Sequence, residues 1–171
     1  MNYTPPQPKP ERIFEERRYL HVAMYGVDTV RATDQFDGIC TDNLRSCSAF
    51  ILYVPQAQCV SLAHMPPSDD IKRLLHQLEK SNTEEECWYD FVVGPYAPKD
   101  RIEDDGMHIR QTFKNAVPNP NRQKQLRSAF GWNSAQTYVS TEGEIAILRE
   151  KSVEIFIKSL EQDSGILRML S

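Results

Sequence analysis

Nowhere in the 171 residues does an apolar run approach the ~20 residues that a bilayer-spanning helix requires. No membrane span is therefore expected. There is no basic excess either: 20 Lys and Arg stand against 24 Asp and Glu, interspersed, for a net charge of -4. A nucleic-acid binder would show a basic stripe, so nucleic acid is not the expected partner. The N-terminal "MNYTPPQPKPERIFEERRY" contains no apolar core of the Sec-signal kind. The expected location is the cytoplasm, or a host cell reached without a Sec signal peptide. Cysteines number four (Cys40, Cys47, Cys59, Cys87) and include no CxxC pair. That is too few for a disulfide scaffold, and free thiols in a reducing compartment are the simplest reading. Of a conceivable Cys40, Cys47, Cys59 and His64 zinc set, only Cys59 and His64 come near the usual ligand spacing. No metal and no cofactor is expected.

What is present suggests one domain with a real core, since 40% of the chain is hydrophobic and 26% charged. Residues 1–12, with four prolines, read as a flexible or extended arm, and 13–171 as a single domain. Strand character follows from Leu20 to Val30, then a polar loop over "DQFDGICTDN". "CSAFILYV" is almost uninterrupted in its apolar character, as in a strand buried on both faces, and "QAQCVSLAHM" alternates as its neighbour. Ser68 caps an expected helix in which Ile71, Leu74, Leu75 and Leu78 share one face. "CWYDFVVGPY" reads as a strand ended by Gly94 and Pro95, "KDRIEDDG" as an acidic loop, and residues from Met107 to about Ala116 as a short helix. "VPNPNRQ" reads as irregular because of its prolines. "SAQTYVSTEGEIAILRE" reads as a hairpin turning at Glu142-Gly143, and "SVEIFIKSLEQ" fits strand or helix equally. The order predicts an α+β layered domain.

One segment carries chemistry. If Cys47 opens one strand and His64 closes its antiparallel partner, a turn at Pro55-Gln56 midway between them returns the chain. The separation of 17 residues then brings both to one end of the sheet. An imidazole that takes the thiol proton makes the sulfur a nucleophile toward an amide carbonyl. Thr41, just upstream, is available to orient the imidazole, and backbone N–H groups around Ser46 and Ser48 to hold an oxyanion. The competing reading is that a cysteine before "SAFILYV" is core packing. His21 is a candidate to line the same pocket. Cys59, an odd five positions from His64, belongs on the opposite face. His76 and His108 read as solvent-facing or capping residues, and Trp88, Tyr89 and Trp132 as core or interface anchors.

"T-x-x-L-x-S-C" (Thr41, Leu44, Ser46, Cys47) followed by "A-H-M-x-P" (Ala63, His64, Pro67) resembles the signature of the chemoreceptor glutamine deamidase CheD. The Cys/His core is similar, more distantly, to that of cytotoxic necrotizing factor toxins, Burkholderia lethal factor and the eukaryotic N-terminal asparagine amidohydrolase. The resemblance is close only over residues 38–67. Arg45 stands where the CheD family usually has Gly, which marks a divergent relative or a different substrate, and the Gly-rich segments typical of CheD are missing.

The resemblance implies an α-β-β sandwich with mostly antiparallel strands and helices outside. It also implies a Cys-His amidohydrolase that converts a Gln side chain of a partner protein to Glu through a thioester. In it Cys47 is the nucleophile, His64 the base and Thr41 the residue that fixes the imidazole, with Arg45 at the pocket. The partner is then a protein presenting an exposed Gln, and an effector or toxin-like role is open. Removal of an N-terminal amide, or transglutamination on the same core, are the enzymatic alternatives. A non-catalytic binding module with a buried Cys47 is the alternative of another class. Oligomeric state and the identity of the partner are not legible.

Overall fold

The computed structural model describes residues 9–67, 72, 75–77, 86–113, 116–118, 135–149, 154–159 and 166–169. Strands dominate. They are β1 (Glu11–Phe14), β2 (Arg17–His21), β3 (Val27–Arg31), β4 (Gly38–Thr41), β5 (Ser48–Val54), β6 (Cys59–Met65) and β7 (Cys87–Val93). Helix α1 (Lys99–Thr112) follows, then β8 (Ala116–Pro118), β9 (Ala135–Ser140), β10 (Glu144–Arg149), β11 (Glu154–Ser159) and β12 (Ile166–Met169). The protein is α+β, with mostly antiparallel strands in two sheets.

One sheet has seven strands in the order β1-β2-β4-β9-β10-β11-β12, the other five in the order β3-β6-β5-β7-β8. Only the β2–β4 and β7–β8 pairings are parallel. Strand β5 is central in its sheet and buried along its whole length, because alternate residues feed two cores. Ala49, Ile51 and Tyr53 join Val60 and Leu62 of β6 against Leu20, Ile39, Val139, Ile145 and Ile147 of the seven-stranded sheet. Phe50, Leu52 and Val54 turn the other way, to a cluster with Ile102, Ile109 and Phe113 at the helix. Each such fully buried side chain stabilises the fold by roughly 1.5–3 kcal/mol.

Several expectations from sequence need correction. The single strand expected over 20–30 is two, β2 and β3, separated by a loop at 22–26 that matters below. The polar stretch read as a loop contains β4, a short strand held between β2 and β9. The proline arm ends sooner than residue 12, because β1 begins at Glu11 and pairs with β2. The acidic segment 99–106 is helical: Ile102, Asp105 and Ile109 recur at helical spacing on the buried side, so Glu103 and Asp104 are simply its wet face. His108 therefore sits within α1, 3.7 Å from Asp104 one turn back. Pro118 ends β8, a three-residue edge strand where a missing N–H is tolerated.

The hairpin at 135–149 forms as expected, with Gly143 at φ +82° in the turn and the Tyr53 ring packed where its Cβ would be. The C-terminal segment left open between strand and helix is strand, β11, followed by β12. Of the expected helix after Ser68, only Lys72 and residues 75–77 are described; these are helical, and Leu75 is buried in the helix-side core. Ser68, Ile71, Leu74, Leu78 and the whole of 119–134, Trp132 included, lie outside the described residues. Among the described residues no helix is long and apolar enough to cross a membrane.

Candidate active site

The open end of the β5–β6 hairpin carries the site. Ala49 lies opposite His64 and Ser48 opposite Met65. Cys47, two residues before Ala49, packs in the same inter-sheet cluster as Ala49, Ile51 and Leu62. It thus belongs to the inter-sheet side of the hairpin, the side on which His64 reaches Thr41. Cys59 packs in the helix-side cluster, on the opposite face from His64.

Thr41 ends β4 directly across the sandwich from this point. Its Oγ1 lies 2.7 Å from the carbonyl oxygen of Val22 and 2.7 Å from Nδ1 of His64. A carbonyl can only accept, so the single hydroxyl proton goes to Val22. The hydroxyl oxygen is then the acceptor toward the ring, and Nδ1 must carry the ring proton. This leaves Nε2 as a bare lone pair. Nε2 is buried and has no hydrogen-bond partner among the described residues.

Burial holds the imidazole pKa down at about 4; the Asp42 carboxylate pulls it back up, and His21 lowers it further. The ring is therefore neutral at physiological pH, in the tautomer a general base needs. No charged group takes part in the relay: it runs from Nδ1–H to Thr41 and ends on a backbone carbonyl.

A loop absent from the sequence reading locks this arrangement. Residues 22–26 supply Val22 O to Thr41, while the Tyr25 N–H donates to His64 O (3.1 Å) and the His64 N–H donates to Gly26 O (3.0 Å). Tyr25 reaches its position through a left-handed backbone (φ 67°), a conformation that costs an ordinary residue about 1–3 kcal/mol.

The turn bearing Cys47 is tethered elsewhere. Leu44 is fully buried in the inter-sheet core. The Gly94 N–H donates to Cys47 O at 2.9 Å, and the Tyr96 N–H to Arg45 O at 2.8 Å. A Cβ on Gly94 would fall 2.0 Å from Leu44 O and 2.5 Å from Arg45 O, so only glycine permits this approach. Ser46 is exposed, and no backbone acceptor takes its N–H or that of Cys47 among the described residues. Ser48, expected to help form an oxyanion site, is instead the first ladder residue of β5, paired with Met65 and Val93.

Cys47 itself is quiet. Its residue is only 6% exposed, and burial raises the thiol pKa, against a smaller lowering from a hydrogen bond with Ser46. No hydrogen bond joins it to His64, whose Nε2 is unpartnered. The resting pair is thus a neutral thiol beside a neutral imidazole, not a thiolate–imidazolium pair; catalytic hydrogen bonds often tighten only once substrate is bound.

His21 is a correction. Leu20 faces the inter-sheet core and Tyr19 the outer cluster with Cys40 and Tyr138. Alternation along β2 therefore sends His21 to the outer side, where its Nε2 lies 3.1 Å from Asp42 Oδ1, and Arg12 is 3.9 Å from the same carboxylate. It does not line the pocket beside Cys47. Cys40, on that outer side, has its thiol pushed up to about 12 by burial. With Cys40 and Cys59 on faces that Cys47 and His64 do not share, the conceivable zinc set does not converge. Among the described residues no group of three or more potential ligands is arranged to hold a metal, and all four cysteines are free. Compared with known proteins, the chain matches no family model, and no curated protein matches it.

The lowered His64 pKa also sets a stability profile. Unfolding releases an imidazole that titrates at about 6.5, so below that pH the unfolded chain binds a proton that the folded chain refuses until about pH 4. Stability from this group is present above pH ~6.5 and is lost as pH falls toward 4. Asp105, whose carboxyl is pushed up to about 6 by burial, acts in the opposite direction over the same window. The effect is therefore read by difference. Denaturant titration at about pH 7 and about pH 4.5 should show wild type losing about 2 kcal/mol more than His64→Gln. Parallel losses in the two proteins would contradict the assignment.

Proposed function

We propose that this protein is a cysteine-dependent amidohydrolase that deamidates a Gln side chain on a partner protein. The observation that carries the reading is the bare, buried Nε2 of His64, fixed by Thr41 on the face that Cys47 shares. The mostly antiparallel two-sheet α+β architecture, with α1 against the outer face of the five-stranded sheet, is compatible with the CheD-like layering that the motif implies.

The reaction follows from the groups present. As the Cys47 sulfur attacks the carboxamide carbon, its proton passes to His64 Nε2, so no resting thiolate is needed. The Ser46 and Cys47 N–H groups, which no backbone acceptor takes among the described residues, are available to hold the oxyanion. His64 then gives its proton to the departing ammonia, leaving a thioester. Water, deprotonated by His64, hydrolyses the thioester; the products are Glu, ammonia and the free thiol. Transglutamination differs only in an amine replacing that water.

A second reading is favoured by one observation. Cys47 is nearly sealed within an apolar cluster and its thiol pKa is raised, as in a binding module that keeps the fold and uses the cysteine as packing. The two separate in one experiment. Candidate partner proteins are incubated with wild type and with Cys47→Ser. Ammonia release is measured together with the mass of tryptic peptides, which rises by about 1 Da when an amide becomes an acid. The enzyme reading expects release from wild type and a fall of at least ~1,000-fold in Cys47→Ser. Equal rates in both proteins would assign the ammonia to something else.

A further inference from the structure

Five large apolar side chains are exposed among the described residues: Ile13, Met24, Tyr25, Tyr96 and Met107. Three of the five belong to the two segments that are hydrogen-bonded to the site. Tyr25, 51% exposed, and Met24, 54% exposed, sit in the loop whose N–H binds His64 O. Tyr96, 47% exposed, sits where its N–H binds Arg45 O, two residues from Cys47. Scattered apolar residues on a surface mean little, but these three sit on the two segments tied to the strand ends that carry His64 and Cys47.

Charge divides this rim in two. On the Cys47 side Arg45 is exposed, its backbone is pinned by Tyr96, and it has no ion-pair partner among the described residues. The nearest carboxylate in sequence, Asp42, is already engaged by His21 and Arg12. On the His64 side the rim is Met24 and Tyr25, apolar and aromatic.

We propose that this rim is the docking surface for an extended segment of the partner protein. The segment carries an acidic side chain on one flank of the target glutamine, taken by Arg45 beside the Tyr96 ring. On the other flank it carries an apolar side chain, taken by Met24 and Tyr25. The inference rests on the deamidase reading and names the substrate class. A guanidinium pairs with a carboxylate through two parallel hydrogen bonds, which sets orientation as well as attraction. The whole chain bears a net charge of -4 and opposes an acidic partner at long range. A local cation two residues from Cys47 therefore selects acidity next to the glutamine rather than acidity in general.

The test uses the full chain carrying Cys47→Ala, so that binding is read without turnover. Fluorescein-labelled Gln peptides are titrated by anisotropy, with acidic, neutral or basic residues on one flank and Leu or Ser on the other. The acidic/Leu peptide is expected to bind at least about tenfold more tightly than the basic/Ser peptide. In an added Arg45→Glu change the charge preference reverses, and in Met24→Ser/Tyr25→Ser the preference for Leu disappears. All peptides binding alike, or an Arg45→Glu change that leaves the ratios untouched, overturns the proposal. Ammonia release from the same peptides, using protein with Cys47 intact, keeps the two claims apart. Selective binding with no release sinks the deamidase reading and leaves the surface standing; release without flank selectivity sinks the surface and leaves the enzyme.

Discussion

Gly94→Ala is expected to destabilise the protein by about 3 kcal/mol or more and to loosen the turn that carries Cys47. The added methyl would meet two backbone carbonyls, Leu44 O at 2.0 Å and Arg45 O at 2.5 Å, neither of which can rotate aside as a side chain would. Leu44 cannot yield easily, because its side chain is fully buried between the sheets. The strain must then fall on the Gly94 N–H to Cys47 O bond, which holds the Cys47 carbonyl. Overpacking of this kind usually costs 1–3 kcal/mol, and rigid backbone on both sides puts it at the upper end. For a chain of this size that corresponds to a fall in Tm of roughly 10 °C. Differential scanning calorimetry reads the first effect, and iodoacetamide labelling of Cys47 at fixed pH reads the second, with faster labelling in the variant. A Gly94→Ala protein with unchanged Tm would mean that the two turns are not in contact.

Thr41→Val should be the more informative lesion, because the shape is kept and only the hydroxyl is lost. Val22 O and the His64 Nδ1–H each lose a partner in a place that water does not reach, since Thr41 is 1% exposed and His64 2%. Orphaning two buried polar groups costs about 1–3 kcal/mol apiece before any relaxation. The second consequence is electronic: with no acceptor at Nδ1, the ring is free to move its proton to Nε2 and ceases to be a base toward Cys47. On the proposed deamidase reading, ammonia release should fall about 100-fold or more, while Thr41→Ser, which retains the hydroxyl, should recover most of it. Nitrogen-15 NMR of the imidazole distinguishes the tautomers directly. A Thr41→Val protein that still shows Nδ1 protonated and Nε2 bare would remove the hydroxyl from the mechanism.

How much of this was legible beforehand can be argued residue by residue. "CSAFILYV" and its partner strand were visible because a segment buried on both faces has a composition no surface strand shares, and the spacing of 17 between Cys47 and His64 follows from the hairpin alone. Thr41 was a candidate from its place just before Cys47 and from the motif, but the strand that delivers it, β4, was not visible, being four residues set in polar surroundings that look like loop. Backbone groups leave no trace in a sequence. Val22 contributes through its carbonyl and Tyr25 through its N–H, so any residue of suitable conformation would read the same there; Gly94 contributes through a missing Cβ, but its glycine read only as the end of a strand. The 22–26 loop was hidden for a related reason: its neighbours on both sides are strands, and a fused strand fits the apolar pattern equally well. His21 misled because the side of the sheet it takes is fixed by the register of β2 against β4, which the sequence does not display. Helix α1 was half visible, from Met107 onward; its first two turns were masked by an acidic run in which Glu103 and Asp104 face solvent while Asp105 is buried, so charge gave no guide to the inner face.

The relay behind His64 terminates on the uncharged oxygen of Val22. A carboxylate in that position would favour a standing thiolate, the form that hydrogen peroxide attacks. Lacking it, the protein keeps its sulfur protonated, and the thiol is the form that oxidants attack least readily.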